Sequence, residues 1–147
     1  MNKHTSKSEK ETKEIALEFV KEAMSKGPKK GSLVLALKGD LGAGKTTFTQ
    51  ALGKALGVKK RILSPTFLVM KRFPLPPKSK FKNLYHIDAY RVGPRDLRAL
   101  GVGEILKEAN VVIIEWADKV KSILPKETFW IRFEHGKDQN ERKITIN

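Results

Sequence analysis

Two kinds of hydrophobic pattern alternate along the chain. Ile15, Ala16, Phe19, Val20, Ala23 and Met24 recur at helical spacing, which predicts an amphipathic helix ending near Gly27-Pro28. Just upstream, Ser8-Glu-Lys-Glu11 has the form of a capping box, the serine accepting from a free backbone N–H and Glu11 reaching back. "SLVLALKG" (32–39) is instead a short continuous apolar run before a glycine-rich turn, the pattern of a strand buried on both faces. Helical spacing returns from Lys45 to Leu56, and Gly57 supplies the stop.

Further on, "TFLVMKRF" (66–73) is strand-like and leads into "PLPPKSKFKN", a proline- and lysine-rich connection expected as an exposed loop. "LYHIDAY" (84–90) resumes a strand, and "GPRDLRALGVGEILKEAN" predicts one or two short helices broken at Gly101 and Gly103. "VVIIE" (111–115) is a second buried-type strand, and "ADKVKSIL" a short helix stopped by Pro125. "TFWIRFEH" and "RKITIN" flank "GKDQN", the signature of a hairpin. Strands alternating with helices imply an α/β fold: a mixed, mostly parallel sheet flanked by helices, with an antiparallel hairpin at the C-terminus. No repeat or internal linker interrupts the chain, so residues 1–147 are expected to form one domain, with 1–10 a candidate for disorder.

Charge changes this picture more than composition does. The 147 residues carry a net charge of +14, and it is unevenly placed. No acidic residue lies between Asp40 and Asp88, while Lys45, Lys54, Lys59, Lys60, Arg61, Lys71, Arg72, Lys78, Lys80 and Lys82 all fall there. Such a zone attracts polyanions, RNA first among them, or serves as a solvated face. The chain has no cysteine, which excludes a disulfide framework or thiolate metal site and fits a reducing compartment. "MNKHTSKSEKETKE" is too polar for a signal peptide, and the apolar run around "NVVIIEWA" is far shorter than the roughly 20 residues of a membrane helix. A cytoplasmic protein without membrane association is expected.

Gly39, Gly44, Lys45 and Thr46 satisfy G-x-x-x-x-G-K-[ST], the P-loop pattern. The chain must turn tightly about the phosphates with its amides aimed inward, and glycine permits that backbone. The following helix directs its positive end at the same anion. Lys45 would reach the β- and γ-phosphates, and the Thr46 hydroxyl would ligate Mg2+. By chance the pattern arises in roughly one chain of this length in a few hundred, and here a buried strand precedes it and a helix follows. A P-loop NTPase-like fold is therefore expected. Such a site also needs an acidic residue at the end of a neighbouring strand. Glu115 closes "VVIIE" and Asp88 closes "LYHID", and composition alone does not divide the metal and water-handling roles between them. His86 reads as a structural histidine, Arg91 as a partner for Asp88 or Glu115, and Tyr90 and Trp116 as core or rim aromatics.

Together "GDLGAGKTTFTQALGKALG" (39–57), "SPTFLV" (64–69), "YHIDAYR" (85–91), "DLRALGVGEIL" (96–106) and "IIEWADK" (113–119) resemble the TsaE (YjeE) family, the small ATPase of bacterial tRNA threonylcarbamoyladenosine biosynthesis. The resemblance implies that Asp40, Leu41, Gly42, Ala43, Gly44, Lys45, Thr46 and Thr47 bind ATP and ADP. It implies Thr46 and Glu115 on Mg2+, and Asp88 as an acidic residue needed for hydrolysis and a further metal candidate. Ser64, Pro65 and Thr66 take the place of a switch-like segment, Trp116 that of a tryptophan beside the nucleotide, and Thr12 lies near the adenine. Lys45, Asp88 and Glu115 are thus the catalytic candidates. The implied role is hydrolysis that resets the TsaB–TsaD complex, which modifies adenosine 37 of tRNAs reading ANN codons. Alone, the chain should hydrolyse ATP slowly, because no residue announces itself as an arginine finger. Two other readings stay open: a small P-loop kinase, with the lysine-rich 74–83 connection as its lid, and a nucleotide-gated, non-enzymatic RNA-binding module.

Overall fold

The computed structural model describes residues 2–40, 42–63 and 68–147. Its strands are β1 (Asn2–Ser6), β2 (Leu33–Gly39), β3 (Met70–Pro74), β4 (Asn83–Asp88), β5 (Val111–Glu115), β6 (Phe129–His135) and β7 (Arg142–Ile146). They form one sheet in the order β1-β7-β6-β2-β5-β4-β3. The four central strands run parallel, so their carboxyl ends share one edge, while β3, β7 and β1 attach by antiparallel pairing. The chain thus has the mixed α/β sheet and C-terminal β6–β7 hairpin expected from its pattern.

Helices α1 (Glu9–Lys26) and α2 (Lys45–Ala55) cover one face, over a core that includes Phe19, Phe48, Leu35, Ile113 and Phe133. The shorter α3 (Pro94–Ala99) and α4 (Val102–Lys107), with a 3₁₀ segment at Ala117–Ile123, cover the other around Ala36, Ile87, Leu97 and Ile114. β2 and β5 are buried from both sides, which explains their unbroken apolar runs.

Several details differ from the sequence reading. Ser8 caps α1, accepting from the Glu11 N–H at 3.1 Å, but the Glu11 carboxylate accepts from Lys7 N at 2.7 Å, one residue before the cap. Residues 2–6, inside the segment considered for disorder, instead pair with β7 as an edge strand. The lysine-rich connection is exposed at its prolines and lysines, as expected, but not throughout. Leu75 and Phe81 turn into the core, and Leu75 N donates to Lys82 O and Lys82 N to Ala109 O. The expected helix after β5 is 3₁₀, interrupted at Val120.

Candidate functional site

At the carboxyl edge of the sheet, β2 ends at Gly39 and α2 begins at Lys45. Gly39 is required by packing: a Cβ there would lie 2.5 Å from the Phe133 carbonyl oxygen, because β6 pairs closely alongside. Gly44 is the N-cap of α2 with φ 99°, a left-handed conformation in which glycine carries no steric penalty. The first turn of α2 has no intrahelical acceptors for its N–H groups, so these amides and the helix dipole face an open cavity.

That cavity holds about 790 Å³ and is lined by Gly42, Gly44, Lys45, Thr46 and Thr47 from the loop and helix, and by Asp88, Tyr90, Arg91, Glu115 and Trp116 from the ends of β4 and β5. Thr12, Ser8 and Glu9 approach from α1, and Asn140 and Arg142 from the hairpin. The size suits a small-molecule ligand. Asp40 and Ala43, expected on the nucleotide, do not line it. Asp40 is exposed, with its carbonyl accepting from Ala43 N, and the Ala43 side chain is buried in the core. Leu41 and the switch-like Ser64, Pro65 and Thr66 lie outside the described residues.

Lys45 is 8% exposed and folds back over its own loop. Its Nζ donates to Gly39 O at 2.7 Å and sits 4.6 Å from the centroid of the Trp116 ring. An ammonium has three donors, so this arrangement fixes its position and leaves N–H groups for an anion. Trp116 has φ 58°, the one positive value for a non-glycine among the described residues. Such strain costs about 1–3 kcal/mol and persists where the surroundings enforce it. Here Trp116 packs on Tyr90 at 5.0 Å, and Lys119 lies 4.5 Å from the Tyr90 ring while donating to Tyr90 O. Trp116 thus packs against the core on one side and stands beside Lys45 at the cavity, while Tyr90 is an exposed rim aromatic.

The carboxylates follow from register. Leu37 of β2 is opposite Glu115 of β5, which is opposite Asp88 of β4. Glu115 is buried, 3.1 Å from His86 Nε2. A carboxylate only accepts, so Nε2 carries the proton in this contact. His86 Nδ1 is buried without a hydrogen bond among the described residues. Asp88 is half-buried and accepts from Tyr90 N. Arg91 makes no ion pair with either carboxylate among the described residues.

Among the described residues no three acidic or histidine side chains cluster as a complete metal site. Mg2+ seldom needs one: it keeps water and phosphate oxygens and takes one or two protein ligands. The Thr46 hydroxyl and the Glu115 carboxylate, with Asp88 adjacent, are a donor set of that kind and fit the ion. Thr12 lines the cavity but its Oγ1 is already 2.7 Å from Ser6 Oγ.

Arg142 went unnoticed in the sequence. Its Nε donates to Gly42 O and its Nη1 to Gln139 O and Glu141 O, tying the hairpin to the phosphate loop across 100 residues. Nothing local marks it, since the contact exists only once β6 and β7 pair beside β2.

Known proteins resemble the chain in both sequence and fold. Residues 6–144 match the family model described as "Threonylcarbamoyl adenosine biosynthesis protein TsaE". The chain is 36% identical over 146 residues to the tRNA threonylcarbamoyladenosine biosynthesis protein TsaE of Rickettsia prowazekii, covering 98% of this chain and 93% of that one. To the protein of the same name from Bacillus subtilis it is 38% identical over 113 residues, 77% and 68% of the two chains. The crystal structure of Bacillus subtilis YdiB superposes with a TM-score of 0.73 at 32% identity, over 99% of this chain and 83% of that one.

Proposed function

Since the chain belongs to the TsaE family, whose members take part in tRNA threonylcarbamoyladenosine biosynthesis, we propose that it is an ATPase of that process, acting with TsaB and TsaD on adenosine 37 of tRNAs reading ANN codons. The observation that carries the hydrolytic reading is the alignment of Leu37, Glu115 and Asp88 across three parallel strand ends, directly beside the phosphate loop. An anion cradle and paired carboxylates at one strand edge are what nucleotide hydrolysis requires.

In this reading the α2 amides and Lys45 hold the β- and γ-phosphates, and Trp116 fixes the lysine against solvent. Thr46 and Glu115 would hold Mg2+, which would supply charge neutralisation on the phosphate oxygens. Asp88, less buried than Glu115, orients water at the outer edge. The kinase reading loses support, because the lid considered for it, residues 74–83, is anchored to the core by Leu75 and Phe81.

The test mixes this chain with its own TsaB and TsaD, tRNA, threonylcarbamoyl-adenylate and ATP. Modification is expected to run through multiple turnovers with the native chain and to stop near one turnover with Lys45→Ala. Equal turnover without this chain would remove the proposed role.

A further inference from the structure

The acid-free stretch between Asp40 and Asp88 has a three-dimensional counterpart. Residues 58–62 run back beside α2, with Val58 N on Gly53 O and Gln50 Nε2 donating to Ile62 O at 2.9 Å. The 75–82 loop meets them at Gly57, where an added Cβ would lie 2.7 Å from Pro76 Cγ. Val58, Ile62, Leu75 and Phe81 are buried in one cluster under this junction. Two separate sequence segments thereby form one corner, and their cations, Lys59, Lys60, Arg61, Lys78, Lys80 and Lys82, are all exposed. None is within ion-pair distance of a carboxylate among the described residues. The edge strand β3 adds exposed Lys71, on the same face as the buried Phe73 of that cluster.

None of these residues lines the nucleotide cavity. The 75–82 loop meets the chain just past the C-terminal end of α2, whereas the cavity opens at its N-terminal end, and the helix's 11 residues span about 16 Å. The charge therefore has no part in holding a nucleotide there. We propose that this corner is a docking surface for the phosphate backbone of a folded RNA.

An acidic protein surface fits less well. Protein interfaces are depleted in lysine and rely on buried aromatic or arginine anchors, and among the described residues this corner offers mostly lysines, an arginine (Arg61) that is exposed rather than buried, and no exposed ring. Phe73 and Phe81 are buried, with Lys71 and Lys80 above them, Nζ 5.3 and 5.8 Å from the ring centroids. The same lack of an exposed ring among the described residues disfavours stacking on single-stranded bases. What remains is a polar, strongly positive surface on a pinned backbone, suited to phosphates of a structured duplex.

Fluorescence anisotropy of a labelled, unmodified tRNA transcript with the full chain, titrated over a range of salt, tests this. Two corner triples, Lys59→Gln with Lys60→Gln and Arg61→Gln, and Lys78→Gln with Lys80→Gln and Lys82→Gln, are compared with a scattered control. The control, Lys21→Gln with Lys107→Gln and Lys126→Gln, removes the same charge from other exposed positions. Each corner triple is expected to weaken binding by about tenfold or more and to reduce the salt slope by roughly 2, while the control changes affinity by less than about threefold. Equal losses in all three variants, or none, would overturn the proposal. So would corner triples that keep tRNA binding but lose retention on poly-glutamate, which would assign the surface to an acidic protein. ATP binding by the same triples should be unchanged, so this inference and the ATPase reading fail separately.

Discussion

His86 Nε2 lies 3.1 Å from a Glu115 oxygen, and both side chains are buried. A carboxylate that must present an oxygen to a metal gains from a neighbour fixing its rotamer, and such supporting contacts are commonly worth 10–100-fold in metal affinity or activity. His86 touches no reacting atom, so its role is positioning. His86→Ala is expected to raise the Mg2+ concentration for half-maximal ATPase activity by about tenfold, with a smaller change in the ATP requirement. His86→Gln, whose amide reaches the same position, should restore most of it. A purely structural role would lower the melting temperature and leave the Mg2+ requirement in place, and that result would sink the idea. The sequence marked His86 as structural and Glu115 as catalytic. Their pairing was not legible, because only the β4–β5 register sets them side by side.

Among the elements, the strands and helices with strong periodicity were readable from the chain. β2, β5 and α2 fall within one residue or so of their predicted spans, because burial on both faces or on one stripe leaves a pattern. The 74–83 connection was not readable in the same way. Leu75 and Phe81 are single apolar residues among prolines and lysines, and no period connects them, yet both are at most 9% exposed. Phe81→Ala removes a ring from the cluster under α2 and should cost about 3–5 kcal/mol. The urea midpoint should fall accordingly, and amide exchange should speed up across residues 75–82 before it does in β2 or β5. Loss of protection spread evenly over the sheet would mean that the loop is no separate anchoring unit. Trp116 shows the same limit at the end of β5: its identity was legible, its left-handed backbone was not.

For the whole molecule, hydrophobic pattern specified that a parallel sheet exists but not its order, since β2 and β5 are both unbroken apolar runs and nothing along the chain says which strands flank them. Pairing β6 with β2 is what brings Phe133 against Gly39 and Arg142 over the phosphate loop. β1 was invisible for a related reason: as an edge strand it is exposed along most of its length, so Asn2, Lys3 and Thr5 carry no apolar signature. Its few ladder hydrogen bonds are worth about 1 kcal/mol each net, against about 1–2 kcal/mol for ordering each residue's backbone. β1 therefore contributes little net stability, and its effect is to cover the outer edge of β7. Deleting residues 2–5 keeps Ser6, whose hydroxyl is 2.7 Å from Thr12 Oγ1 beside the cavity. The urea-derived stability should change by no more than about 1–2 kcal/mol. The bared β7 edge should instead produce concentration-dependent association in sedimentation velocity, because unpaired strand edges template further pairing. A large loss of stability in a strictly monomeric deletion variant would show that β1 supports the fold itself rather than shielding its edge.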